Sequence, residues 1–212
     1  MILFKDESIM VRDDDNFRYL HLFGNFNEHA YQALSLKADF KRVFGYEKTI
    51  IDLIKGVEAS NILVIGCGSG SVIRSIRDKF FNASIVGVDV VCQLPEICKS
   101  YFGGFPLDEF CCGDARGQLQ EFSPCSFDLV ILDVYGEEVN KYSQCIEFGT
   151  ELLRVIKTGG CLIQHFYCVP HIKGASERII EYCTTLENIF SKVETHGEYN
   201  SKFEGIIFTA IK

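Results

Sequence analysis

Hydrophobic and polar positions divide the chain into a short N-terminal stretch of β-type patterning and a longer stretch in which strand-like and helix-like runs alternate. Residues 8–12 and 17–23 are rich in aromatic and branched side chains and flank Asp13-Asp14-Asp15-Asn16, a turn-forming cluster. This predicts a β-hairpin. Residues 25–37 carry no sustained period and are expected to be irregular. From Asp39 onward, Phe40, Val43, Phe44, Ile50, Ile51 and Ile54 recur at helical spacing, weakened by Gly45 and ended at Gly56. Strands are then predicted at 61–65, 84–88, 109–112, 127–132 and 161–166. The first is a nearly continuous apolar run, as expected of a strand covered on both faces. Helices are predicted at 72–81, 95–101, 142–156 and 176–190, the third stopped at Gly159-Gly160. Two last strands, 192–196 and 205–211, have no helical spacing between them and are expected to form an antiparallel edge pair.

This alternation predicts an α/β fold: a Rossmann-like, mostly parallel doubly wound sheet with an antiparallel C-terminal edge, plus a small N-terminal β-hairpin. The expected division is 1–38 as the hairpin extension and 39–212 as the nucleotide-binding domain. A hydrophobic content of 47% over 212 residues is enough for one well-packed core. The net charge of -8 and pI near 5.2 argue against a phosphate-backbone binder, so no nucleic-acid partner is expected. No apolar stretch approaches the roughly 20 residues a membrane helix needs. The ten cysteines form no C-x-x-C pair, and several sit inside apolar runs. Met1-Ile2-Leu3-Phe4 runs straight into Lys5-Asp6-Glu7, without the pattern of a signal peptide. Reduced thiols in a cytoplasmic protein, with no metal site, are therefore expected.

The most informative stretch is 61–71, where a buried strand ends in Gly66-Cys67-Gly68-Ser69-Gly70 and leads into a helix. Glycine lets the chain turn sharply and lets the backbone approach a ligand with no Cβ in the way. The amides of the following helix can meet polar or anionic groups. The spacing is G-x-G-x-G, tighter than the dinucleotide G-x-G-x-x-G, which disfavours an NAD-dependent dehydrogenase. Asp89 ends the second strand about 20 residues past the glycines, the position of an acidic ribose partner. Its competing role is that of a solvated strand-end carboxylate. Asp114 and Ala115 follow the third strand, and Asp114 also suits a helix cap. Asp133 closes the fourth strand at its carboxyl end, beside the expected cleft, whereas Asp128 starts that strand far from it. Tyr135, Gln164, His165 and Tyr167 lie at or beyond strand ends. Tyr31 and Gln32 can close the cleft from the N-terminal side.

These residues resemble the spermidine synthase family and its S-adenosylmethionine-dependent methyltransferase relatives, over most of the chain. The segments that carry the resemblance are Tyr31 to Leu36, Val64 to Gly70, Val88-Asp89, Gly113-Asp114-Ala115, Asp128 to Asp133 and Thr158 to Gln164. The resemblance implies cofactor binding by Gly66, Gly68, Ser69, Gly70, Asp89, Asp114, Ala115 and Asp133, with Asp114 near the adenine amine. It further implies catalysis by Asp133 and Tyr135, and acceptor binding by Gln32, Tyr135 and Gln164. The family's loop reads G-G-G-D-G, its aspartate holding the aminopropyl end of decarboxylated S-adenosylmethionine; here that position is Ser69. The family's D-x-x-D lacks its second carboxylate, because Asp133 is followed by Val134-Tyr135-Gly136 and then Glu137. Losing two carboxylates weakens the attraction for a dicationic donor and a polyamine acceptor. The favoured expectation is S-adenosylmethionine as cofactor and methyl transfer to a small acceptor, possibly an amine. The alternatives are aminopropyl transfer from decarboxylated S-adenosylmethionine, with Glu137 or Glu138 recruited, and a non-catalytic nucleotide-binding homologue. The hairpin is also a candidate surface for a homodimer.

Overall fold

The computed structural model describes residues 1–24, 33–41, 45–134, 145–167, 175–196 and 205–212. Two sheets organise them. The first is antiparallel, in the order β1 (Ile2–Lys5), β2 (Met10–Asp13), β3 (Phe17–His21), β4 (Ala33–Leu36). The predicted hairpin is its centre, β2 and β3, with Met10 paired to His21 and Asp13 to Arg18. It is larger than expected: β1 adds one edge, and Ala33–Leu36, within a stretch read as irregular, adds the other. Four residues are too few to show a period, so the pairing of β4 to β3 is a tertiary fact.

The helix predicted from Asp39 is shorter. Val43 and Phe44 lie outside the described residues, and α1 (Gly45–Ile54) starts at the glycine that was expected to weaken it. The alternating series then follows: β5 (Asn61–Ile65), α2 (Ser71–Lys79), β6 (Ser84–Asp89), α3 (Leu94–Tyr101), β7 (Glu109–Cys112), α4 (Ala115–Glu121), β8 (Phe127–Leu132), α5 (Ile146–Val155), β9 (Ile156–Tyr167), α6 (Ala175–Glu187), β10 (Lys192–His196) and β11 (Gly205–Ile211). The pattern missed α4, a two-turn helix whose buried apolar face is only Ala115 and Leu119. Such a pair cannot establish a helical repeat.

These strands form a seven-stranded sheet in the order β10-β11-β9-β8-β5-β6-β7. Neighbours from β7 through to β9 pair in parallel. The expected antiparallel edge takes a specific form: β11 is inserted between β9 and β10 and runs against both, so it is the one reversed strand among those described. The order reverses at β5, which has β6 on one side and β8 on the other. That is where ligands bind in open α/β sheets, outside the carboxyl ends of the strands.

One core lies on each face of this sheet. The first combines Ile62, Val64, Leu129, Ile131 and Ile163 with α1, α2 and α3, and also with Ile9, Val11, Leu20 and Leu22 of the N-terminal sheet segment. The two sheets therefore share buried apolar surface. The second places Leu63, Ile65, Val130, Leu132 and Leu162 under α4, α5 and α6. Its densest part is aromatic: Tyr182 stacks on Phe166 at 4.9 Å and meets Phe208 edge-on at 5.3 Å. Such contacts add about 0.5–1.5 kcal/mol each beyond the area they bury.

One chemical expectation is corrected. Cys92 and Cys112 are joined as a disulfide, with Cα atoms 5.1 Å apart, whereas all the cysteines were read as reduced. The β6–α3 connection and the end of β7 converge in space, which their 20-residue separation along the chain conceals. Among the described residues, no helix is long and apolar enough to cross a membrane.

Candidate functional site

A cavity of about 350 Å³ opens at the carboxyl ends of β5, β6 and β8. That lies within the range of small-molecule sites. The glycine loop forms its floor. Gly66, Gly68 and Gly70 have φ values of +88°, +49° and +80°, the left-handed region that side chains disfavour. Gly66 is fixed from two sides: its N–H donates to the Val88 carbonyl at 2.9 Å, and a Cβ on it would stand 2.1 Å from the Asp133 carbonyl oxygen. Arg74 of α2 holds the loop from behind. Its guanidinium donates to the carbonyls of Ser69 (2.8 Å) and Gly104 (2.5 Å), and burial lowers its pKa.

Asp89 stands at the end of β6 and lines the cavity. Its carboxylate accepts from the amides of Cys67 (2.8 Å) and Val91 (3.0 Å), while desolvation pushes its pKa above the ordinary carboxylate value. Asp89 thereby anchors the loop while its carboxylate lines the cavity. Ser69 also lines the cavity but spends its hydroxyl on Ser35 of β4, with the two oxygens 2.9 Å apart and both residues buried. The loop is thereby tied to the N-terminal sheet, whose Ala33 and Leu34 join the lining together with Leu22 and Phe23.

Asp133 closes the far wall. One carboxylate oxygen lies 2.9 Å from Nδ1 of His165, and the other accepts from the Tyr46 hydroxyl at 3.2 Å. Tyr46 stacks on His165 with ring centroids 3.8 Å apart. An ionised carboxylate only accepts, so Nδ1 carries the shared hydrogen. His165 is almost fully buried, and its Nε2 has no partner among the described residues.

The other expected residues are distributed unevenly. Gly113 and Ala115 line the cavity, but the Asp114 side chain caps α4 by accepting from the Arg116 amide at 2.8 Å, and it pairs with the Arg116 guanidinium. That ion pair holds its pKa low. Gln164 is not brought to the cavity. It is buried on the opposite face of β9, where its side-chain oxygen accepts from the Tyr182 hydroxyl. Asp128 lies at the start of β8, as expected, binding the Asn61 amide and Lys157. Tyr31, Gln32, Tyr135, Glu137 and Glu138 lie outside the described residues. Two site residues escaped the sequence reading: Tyr46, and Glu47, which is 3% exposed, lines the cavity and accepts from the Ser71 hydroxyl.

Residues 63–164 match the family model described as "Methyltransferase domain". No curated protein matches the chain in sequence. Solved structures do match in three dimensions. A structure described as a probable spermidine synthase from Corynebacterium glutamicum aligns with a TM-score of 0.75 at 16% identity, over 96% of this chain and 76% of that one. A spermidine synthase bound to the transition-state analogue AdoDATO gives 0.71 at 13% identity, over 99% and 71%. A protein assigned as an O-methyltransferase from Nostoc punctiforme gives 0.59 at 16% identity, over 79% and 56%. The chain therefore has the Rossmann-like methyltransferase fold in its spermidine synthase-like form.

Proposed function

We propose that this protein binds S-adenosylmethionine and transfers its methyl group to a small acceptor. The observation that carries the reading is the pairing of the left-handed glycine loop with Asp89, which accepts from the loop's own Cys67 amide and faces the same cavity. Hydrogen-bonded adjacency orders the lining. Gly113 donates to the Asp89 carbonyl, Asp89 accepts from Cys67, and the loop continues through Ser69 to Ser71 and Glu47. A nucleoside placed with its ribose on Asp89 has its base toward Gly113 and Ala115 and its side chain toward Ser69.

The residues present fit that group: glycines without Cβ atoms, the Asp89 carboxylate, and apolar walls from Val72 and Val88. When bound, the cofactor supplies an already activated sulfonium. The protein's own work is then orientation and exclusion of water. Asp133 is suited to orient an acceptor because His165 and Tyr46 fix both of its oxygens.

Methyl transfer is favoured over aminopropyl transfer because the carboxylate expected in the loop is Ser69, with its hydroxyl engaged by Ser35. Isothermal calorimetry with S-adenosylmethionine and its decarboxylated form, on wild type and Asp89→Ala, tests the proposal. Wild type is expected to bind S-adenosylmethionine, and the variant to bind it at least about tenfold more weakly, as befits lost charge-assisted hydrogen bonds. Unchanged affinity in the variant removes the ribose assignment. A clear preference for the decarboxylated donor replaces methyl by aminopropyl transfer. Failure of wild type to bind either donor leaves a homologue without the chemistry.

A further inference from the structure

One wall of the cavity is built by two segments that leave the sheet side by side. Val90 follows Asp89 at the end of β6, Gly113 follows Cys112 at the end of β7, and both line the cavity. Asp89 and Cys112 are the last register partners of this parallel pair, and the Gly113 N–H donates to the Asp89 carbonyl at 2.9 Å. The ladder ends there, and the covalent tie between the two segments is the Cys92–Cys112 disulfide. Its half-cystines stand three residues past Asp89 and one residue before Gly113. Both are exposed, whereas Cys67 of the glycine loop and Cys98 of α3 are buried. An exposed disulfide is open to attack by thiols and belongs with the labile, regulatory kind rather than with protected structural bridges.

We propose that the Cys92–Cys112 bridge is a redox switch on nucleoside binding. Closed, it holds the turn after Asp89 against the end of β7 and keeps this wall formed. Opened by a dithiol, it frees the two segments and lowers the affinity. This rests on the S-adenosyl reading of the cavity. In the opening step one thiolate of the dithiol attacks a bridge sulfur, the S–S bond breaks, and the other cysteine leaves as a thiolate that takes a proton. The second thiol of the dithiol then displaces the first cysteine from the mixed disulfide. Two electrons and two protons pass to the protein, and the dithiol leaves as a cyclic disulfide. A wall already ordered by the bridge costs nothing further to order when the nucleoside arrives, and a freed wall does. Linkage makes the effect reciprocal, so bound nucleoside protects the bridge by the factor with which the bridge strengthens binding.

Equilibrium dialysis of S-adenosylmethionine against wild-type protein, air-oxidised and then reduced with dithiothreitol, measures the switch. The oxidised protein is expected to bind roughly tenfold more tightly, an ordinary coupling between linked sites. Cys92→Ser/Cys112→Ser is expected to bind like reduced wild type, with or without dithiothreitol. In dithiothreitol redox buffers, read by thiol alkylation and mass spectrometry, saturating S-adenosylmethionine should move the midpoint of the bridge by about 30 mV to more reducing potentials. That is the tenfold coupling expressed for two electrons. Equal affinities of the two redox states overturn the switch and leave the S-adenosyl reading standing. A midpoint indifferent to the nucleoside, or a response that survives in the double variant, also overturns it. So does unfolding on reduction, seen by circular dichroism, because the bridge would then hold the fold and not the wall. A pair that never closes in wild type has the same consequence. The wild-type comparison needs no variant, so a double variant that fails to fold does not protect the proposal. If neither redox state binds S-adenosylmethionine, the S-adenosyl reading itself falls and the switch falls with it.

Discussion

Gly66 concentrates the fold's demands on the site in one position, and Gly66→Ala tests them. Two costs add. Its φ of +88° is unfavourable for any residue with a Cβ, by about 1–2 kcal/mol. The new methyl would also stand 2.1 Å from the Asp133 carbonyl oxygen, 2.7 Å from its carbon and 2.8 Å from Val134 Cγ1. Overpacking of this kind costs about 1–3 kcal/mol where side chains can move. Here the obstacle is backbone held by the sheet, because the Asp133 N–H donates to the Ile65 carbonyl at 2.8 Å and the Gly66 N–H to Val88 at 2.9 Å. The sum is about 2–5 kcal/mol, a large part of the 5–15 kcal/mol typical of a whole domain. With a urea dependence of about 2 kcal/mol/M, the unfolding midpoint falls by about 1–2.5 M. Gly68→Ala is the control. Its φ is +49°, but a Cβ there meets only the Ala33 Cβ at 3.6 Å, so it bears the backbone cost alone. Equilibrium urea unfolding of the two variants should separate them by at least about 1 kcal/mol, Gly66→Ala being the weaker. Coincident midpoints, or a Gly66→Ala curve lying on that of wild type, would refute the view that β5 and β8 close on each other at this point.

Two further outcomes are expected outside the cavity lining. Asp13 is buried and holds Arg18 in a two-pronged contact at 2.6 and 2.7 Å, and those hydrogen bonds put its pKa below the ordinary value. A lowered folded-state pKa gives stability that is complete above the unfolded value near 3.9 and is lost as pH falls through the folded one. Asp13→Asn should therefore cost about 2–3 kcal/mol at neutral pH, less than a fully buried pair because Arg18 keeps some solvent, and should flatten the acid limb of stability below about pH 4. An unchanged acid limb counts against this pair. The Cys92–Cys112 bridge should raise stability by about 3 kcal/mol through its closed loop, so a reductant should lower the melting midpoint of wild type but not of Cys112→Ser. A midpoint indifferent to reductant means that the bridge does not form in solution.

Much of this fold is written in local pattern. β5 is apolar from Ile62 to Ile65 and β8 from Leu129 to Leu132, and the glycines after β5 mark the ligand loop without help from the rest of the chain. What could not be read depends on the partner across a gap. Ala33–Leu36 becomes a strand only by pairing with β3, and α4 has just two apolar anchors. Gln164 and His165 are the clearest case. They are adjacent at a strand end, and of the two Gln164 was the expected acceptor residue, yet alternation sends neighbouring side chains to opposite faces. The register with β8 turns Gln164 toward Tyr182 and His165 toward Asp133. Asp114 was ambiguous between cap and ligand from the start, and the Arg116 two residues on engages it as a cap. Glu47 was invisible for the opposite reason: a glutamate in the first turn of an amphipathic helix reads as a solvated charge until Ser71 is seen beneath it.

The distribution of charge bears on which group is transferred. Aminopropyl transfer asks a site to hold a polycationic acceptor and free its amine, work that falls to carboxylates with open oxygens. Asp133 is instead held rigidly: one oxygen meets His165, the other accepts from Tyr46, and the two rings stack to hold those donors in place. A carboxylate held in this way fixes the direction of approach to the cavity. Methyl transfer needs little more, because the leaving group is built into the cofactor and most of the rate comes from alignment. Ser69 fits the same division of labour. Its hydroxyl is bonded to Ser35, so the loop fastens the N-terminal sheet beside the cavity.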